Sequence, residues 1–148
     1  MNPLDWLSPA AWADASLGGL LAYSFLAATL LPGGSEIALF AYVRGTPDQA
    51  TLAVSLATVG NTLGGMTSWL CGRYLPRWQR LQELPLTAPL RRWGSAALLL
   101  AWAPVVGDLL CVAAGWLRLN ALACITFMAI GKLGRYWIVA EGALASLR

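Results

Sequence analysis

The sequence predicts an all-α integral membrane protein made of two inverted repeats. Each repeat is a broken or re-entrant helical hairpin followed by one transmembrane helix. Three observations carry this expectation. The chain has 148 residues, of which 58% are hydrophobic and 11% charged, with mean hydropathy +0.62. A soluble domain carries roughly 25% charged residues. The stretch LLPGGSE (30–36) interrupts an apolar run with a proline, two glycines and an acid. Seventy-two residues later Pro104-Val105-Val106-Gly107-Asp108 repeats the same Pro-to-acid spacing of four, again between apolar runs.

In chain order, residues 1–14 hold Asp5, Asp14 and the interfacial aromatics Trp6 and Trp12, and Ser8-Pro9 resembles a helix N-terminus. This predicts a short interfacial helix. MNPLDWL has no basic n-region, so no cleaved signal peptide is expected. Residues 15–43 form the first broken segment. As one straight helix it would run roughly 43 Å, beyond the ~30 Å hydrocarbon core. It is either a re-entrant hairpin turning near Pro32, Gly33 and Gly34, or one long kinked span. Pro32 obstructs a continuing helix, and the glycines allow a turn. Residues 50–72 read as a transmembrane helix with a Gly60/Gly64 small-residue face and Asn61 near mid-depth. Residues 73–92 form a basic loop containing Arg73, Arg77, Arg80, Arg91 and Arg92 against the single acid Glu83, hence cytoplasmic by the positive-inside rule. Residues 93–117 are the second broken segment, with Pro104, Gly107 and Asp108 at the break. After the short polar turn Arg118-Leu119-Asn120, residues 121–141 form the last helix, carrying Lys132 near mid-depth and Arg135.

The chain is thus one membrane domain, 1–148, with repeat one over 15–72 and repeat two over 93–141. Gly60-Asn61 matches Gly131-Lys132 at an offset of 71, beside the 72 that relates Pro32/Glu36 to Pro104/Asp108. If both broken segments are re-entrant, each repeat crosses the bilayer once. The second copy is then inverted, and the C-terminus lies outside. If both merely kink, the result is a four-helix bundle with both termini cytoplasmic.

Several function classes drop out. The chain has no histidine, which removes imidazole metal sites and Ser-His or Cys-His catalysis. Cys71, Cys111 and Cys124 lie in or beside apolar segments with no metal or disulfide spacing. No metal or other cofactor is expected, and beyond Ser35 and Thr29 no nucleophile stands out, so an enzyme is not expected. Net charge +3 without a large basic face argues against nucleic acid.

The candidate functional residues are the charges inside apolar segments. Each costs about 2.5–3.5 kcal/mol near mid-bilayer on insertion scales, which marks it as functional by default. Glu36 and Asp108 are the candidate transport and proton-coupling groups. Lys132, Arg135 and Asn61 are the candidate substrate-binding groups, the cations suited to an anionic headgroup. Purely structural pairs, Glu36–Lys132 or Asp108–Arg135, are the bland alternative. Arg77, Arg80, Arg91 and Arg92 are candidate lipid-headgroup contacts, or simply the topology signal. Two function classes follow: a small transporter or lipid flippase, and a non-catalytic membrane-organising or partner-stabilising protein. Four membrane segments are few for a closed pathway, which leaves room for a homodimer.

FLAATLLPGGSE (25–36), GNTLGGMTSWLCGR (60–73), WAPVVGDLLCVAAGW (102–116) and GKLGRY (131–136) resemble the DedA family of bacterial inner-membrane proteins, the VTT or SNARE-associated type, in its short YqaA-like branch. The resemblance implies two opposed re-entrant hairpins, a place in the inner membrane and movement of lipids across it. It further implies recycling of a polyprenyl-phosphate carrier coupled to protons, with Glu36 and Asp108 as the embedded acids. Longer members carry arginines around the second proline in an Arg-Phe-x-Pro-x-x-Arg pattern. Here Trp102, Gly107 and Asp108 occupy that neighbourhood, with Arg135 or Lys132 as possible substitutes.

Overall fold

The computed structural model describes residues 17–30, 34–76, 85–103 and 106–148, and every regular element among them is helical. Helices α1 (Leu17–Leu30) and α2 (Ser35–Gly45) flank the first interruption, and α3 (Ala50–Tyr74) follows. The short α4 (Ala88–Trp93) runs into a 3₁₀ helix, Gly94–Trp102. Across the second interruption lie α5 (Val106–Trp116) and α6 (Ala121–Ala145). The expected helices 50–72 and 121–141 run on to Tyr74 and Ala145. Pro32, Gly33 and Pro104, the expected interfacial helix over 1–14, and Arg77 and Arg80 lie outside the described residues.

Length separates two kinds of element. The helices α3 and α6 have 25 residues each, about 37 Å, enough for a hydrocarbon core of ~30 Å. The arms are shorter: α1 has 14 residues and α2 and α5 have 11, about 21 and 16 Å. The nine residues Gly94–Trp102 form an unusually long 3₁₀ run. At about 2.0 Å per residue they reach about 18 Å, close to what α1 achieves with more residues. Among the described residues only α6 is both long and apolar enough to cross a membrane by that measure alone. In α3 the hydropathy is diluted by Thr58, Gly60, Asn61, Thr62, Gly64 and Gly65, all of which face inward.

On either side of the first interruption, α1 and the start of α2 come close together. Asn61 Nδ2 lies 3.3 Å from both the Ser24 carbonyl oxygen and Ser35 Oγ, so those two atoms are at most about 7 Å apart. Eleven residues of continuous helix would separate them by about 16 Å. A methyl group on Gly34 would sit 2.7 Å from the Tyr23 hydroxyl, which also places the start of α2 beside α1. At the second interruption Gly107 lies against the backbone of Ala101 and its amide donates to Ala103 O at 2.9 Å.

In each broken segment the first arm lies along the long helix that follows it in the chain, α1 on α3 and the 3₁₀ helix on α6. The second arm crosses over: α2 packs mainly on α6, and α5 mainly on α3. Gly60 and Gly131, matched in the sequence, both serve the first contact. A side chain at Gly60 would strike the Leu21 carbonyl, and one at Gly131 the Leu99 carbonyl. The crossed contact has its own glycines, since side chains at Gly72 and Gly115 would strike the carbonyls of Val112 and Trp69. Small residues allow such close approach between membrane helices.

Two apolar cores result. One joins α1, α2, the start of α3 and the end of α6 around Leu20, Leu39, Val43 and Val54. The other joins the end of α3, the 3₁₀ helix, α5 and the start of α6 around Leu98, Leu110, Cys111 and Met128. Large apolar side chains also face outward, among them Ile37, Leu52, Val59, Leu109 and Ile138, while Ser24, Ser35, Asn61, Thr62 and Lys132 are buried. Apolar outside and polar within reverses the soluble pattern and suits a lipid-facing exterior.

Candidate functional site: a polar chain between the repeats

The polar residues gather where the two apolar cores meet. Asn61 is the twelfth residue of α3 and Lys132 the twelfth of α6, so each sits at the middle of a 25-residue helix. On α6, Met128, Lys132 and Tyr136 recur every four residues and so share the inward face. Lys132 is 1% exposed, and its Nζ donates to the Asn61 carbonyl at 2.7 Å. Residues matched by the internal repeat thus touch each other. Gly65 makes room for the ammonium: a Cβ there would lie 2.9 Å from Nζ. An ammonium has three N–H donors, and this is the only Lys132 hydrogen bond among the described residues.

The chain continues through side chains. Asn61 Nδ2 donates to Ser24 O and Ser35 Oγ, tying α3 to both arms of the first broken segment. Ser35 Oγ and the Tyr136 hydroxyl are 2.7 Å apart, and this bond joins α2 to α6. Tyr136 OH also accepts from Arg135 Nη2 at 3.4 Å. Arg135 reaches both interruptions at once. Its Nη1 donates to Trp102 O at 2.9 Å, and its Nε lies 3.2 Å from Glu36 Oε1. The Nε–H direction misses the carboxylate, so the Glu36 contact is an ion pair without a directed hydrogen bond.

The two acids occupy matching places. Glu36 is in the first turn of α2 and Asp108 in the first turn of α5. The positive end of a helix favours a carboxylate there. Asp108 is half-buried, and Lys132 and Arg135 are both within its electrostatic reach. Among the described residues it makes no ion pair. Two buried hydroxyls near this region, Ser24 Oγ and Thr62 Oγ1, have no hydrogen-bond partner among the described residues.

All five residues expected to bind substrate or couple protons therefore fall in one region, and Gly34 and Gly107 flank it. The pairings differ from the sequence-level alternative: Arg135, rather than Lys132, pairs with Glu36. The reason is helical phase. Lys132 lies on the α3 side of α6, and Arg135, three residues on, turns toward the two interruptions. Arg91 and Arg92 are exposed on α4 and take no part. Ser24, Gly65, Tyr136 and the Trp102 carbonyl belong to the site but were not singled out from the sequence. For Tyr136 a signal existed, its four-residue spacing from Lys132. Ser35 was visible only as a hydroxyl beside Glu36. Among the described residues no cluster of three or more His, Cys, Asp or Glu offers a metal site.

An all-helical chain with an apolar exterior and a charged, hydrogen-bonded middle defines the class of an integral membrane protein. Known proteins place it more narrowly. It is 44% identical over 137 residues to the inner membrane protein YqaA of Escherichia coli K12, covering 89% of this chain and 94% of that protein. The YqaA of Shigella flexneri matches equally. A relative from Haemophilus influenzae is 39% identical over 145 residues, covering 92% of each chain. No family model and no solved structure matches. The chain belongs to the YqaA-like branch of the DedA family, proteins of the bacterial inner membrane.

Proposed function

We propose that this protein is a small transporter or lipid flippase in which the two broken segments are opposed re-entrant hairpins of an inverted repeat. The observation that carries the proposal is the polar chain from Lys132 to Glu36, which links both interruptions at mid-length of both long helices. Inverted repeats with broken helices and polar groups at the middle are the common build of secondary transporters. Each arm is shorter than the hydrocarbon core, and irregular backbone is tolerated at depth only when buried in protein or lining a wet cavity. The crossed packing of α2 on α6 and α5 on α3 is the pattern that exchange of two such repeats produces.

In this mechanism Lys132 and Arg135 attract the phosphate of an anionic lipid such as a polyprenyl phosphate. Arg135 then has to leave Glu36, and the freed carboxylate takes up a proton. Asp108 supplies the matching acid on the second hairpin. The 73–92 loop is cytoplasmic, and the C-terminus is outside. Four membrane segments favour a homodimer as the working unit.

The test is translocation of a polyprenyl-phosphate lipid in proteoliposomes, with and without a proton gradient, for wild type and Glu36→Gln. Gradient-dependent movement in wild type that is lost in the variant is the expected result. Equal movement in both would remove Glu36 from the mechanism. No movement by correctly folded wild type would favour the membrane-organising role, in which the basic loop matters more than the buried acids.

A further inference from the structure

A second polar site lies apart from the central chain, at the end of α3. There a groove of about 500 Å³ runs between the last turns of α3 and the α5–α6 turn. Trp69, Leu70, Arg73 and Tyr74 line one side, and Arg118 and Leu119 the other. The volume is in the range of small-molecule sites, about 300–1,000 Å³. It carries two guanidinium groups and no carboxylate. The Arg73 guanidinium lies 5.2 Å from the centre of the Trp69 ring, which leaves its N–H edges available.

Arg118 is held there by an unusual backbone. Its φ is +57°, the only positive value at a non-glycine residue among those described. It ends α5 in the position that glycine normally takes: the Leu119 amide donates to Ala114 O at 3.1 Å and the Arg118 amide to Gly115 O at 2.8 Å. Exposed at that point, its side chain makes no hydrogen bond or ion pair among the described residues. Helix ending alone would favour glycine.

The groove's setting says which partner. Tyr74 is 81% exposed and Leu70 46%, an aromatic and an apolar side chain beside two cations. That combination matches the headgroup level of a bilayer, where aromatic rings settle and cations meet lipid phosphates. At the opposite end of the α3–α6 pair lies a cleft of about 40 Å³, with Trp137 and the acid Glu141 and no cation among its lining residues.

We propose that this groove binds the phosphate of an anionic phospholipid in the leaflet at that end, with Arg73 and Arg118 as its two ligands. The site is separate from the central polar chain and does not depend on transport.

The test uses the full chain in nanodiscs of phosphatidylcholine, with phosphatidylglycerol added stepwise and thermal unfolding as the readout. Wild type is stabilised by phosphatidylglycerol. Arg73→Gln and Arg118→Gly each weaken the apparent lipid affinity about fivefold, and Arg118→Lys retains most of it. Arg118→Gly also unfolds at a higher temperature than wild type in pure phosphatidylcholine, because glycine suits the left-handed position. That combination, more stable yet less responsive to the lipid, is what a merely structural arginine cannot give. An unchanged response in the Arg73→Gln/Arg118→Gly double variant would overturn the proposal, as would the absence of any response in wild type. Inorganic phosphate producing the same arginine-dependent shift would overturn the lipid assignment and make the ligand a soluble anion.

Discussion

Arg135 is the one side chain that reaches both interruptions, so its contact with Glu36 is a testable joint between the two halves. The Arg135 side chain is 12% exposed and that of Glu36 27%, at 3.2 Å. Exposed ion pairs contribute about 0–1 kcal/mol. Polar pairs inside membrane proteins average about 0.6 and reach about 1.7 kcal/mol. The partial exposure of Glu36 and the off-line Nε–H keep this pair within that range, so we expect a coupling of about 0.5–1.5 kcal/mol. Arg135→Gln also loses the bond to Trp102 O, a charged donor on a carbonyl worth about 1.5–3 kcal/mol. Its total cost should be about 2–4 kcal/mol. Glu36→Gln keeps the side-chain volume and loses only the ion pair, so about 0.5–1.5 kcal/mol. Reversible unfolding in mixed micelles of wild type, both single variants and the double variant closes the thermodynamic cycle. If the two single effects add to within about 0.3 kcal/mol, the residues are uncoupled, and Arg135 does not join the halves through Glu36.

Four further outcomes follow from the same structure. Gly115→Ala should cost about 1–3 kcal/mol in the same unfolding assay, because its methyl group meets the Trp69 carbonyl. Gly134→Ala, with open space around it in α6, should instead stabilise by up to about 1 kcal/mol. Asn61→Ala should lower stability by about 1 kcal/mol and loosen α2, measured as faster amide exchange at Ser35–Leu39, since Asn61 Nδ2 bridges both arms. A reporter fused after Arg148 should read the side opposite to one inserted within 77–84; the same side for both would favour four full spans over hairpins.

Much of the architecture was legible in the sequence because it depends on local chemistry. Proline and glycine inside an apolar run disfavour a continuous helix, and Glu36 and Asp108 each lie in the first turn of the helix that follows. Scarcity of charge assigns the membrane, since each charge in hydrocarbon costs several kcal/mol. The offset of 71 places Asn61 and Lys132 at matching positions in the chain, but that the two touch is visible only in the fold. Tertiary structure decided the rest. How close the two arms of the first segment come depends on where Asn61, on another helix, finds Ser24 and Ser35. Partner choice among the buried charges depends on the rotation of α6, which points Lys132 at α3 and Arg135 at Glu36. The crossing of α2 onto α6 and of α5 onto α3 comes from packing between distant segments, and in the second of these contacts the backbones approach at Gly72 and Gly115. No single segment encodes it, because a glycine in a sequence does not say which helix will lie against it.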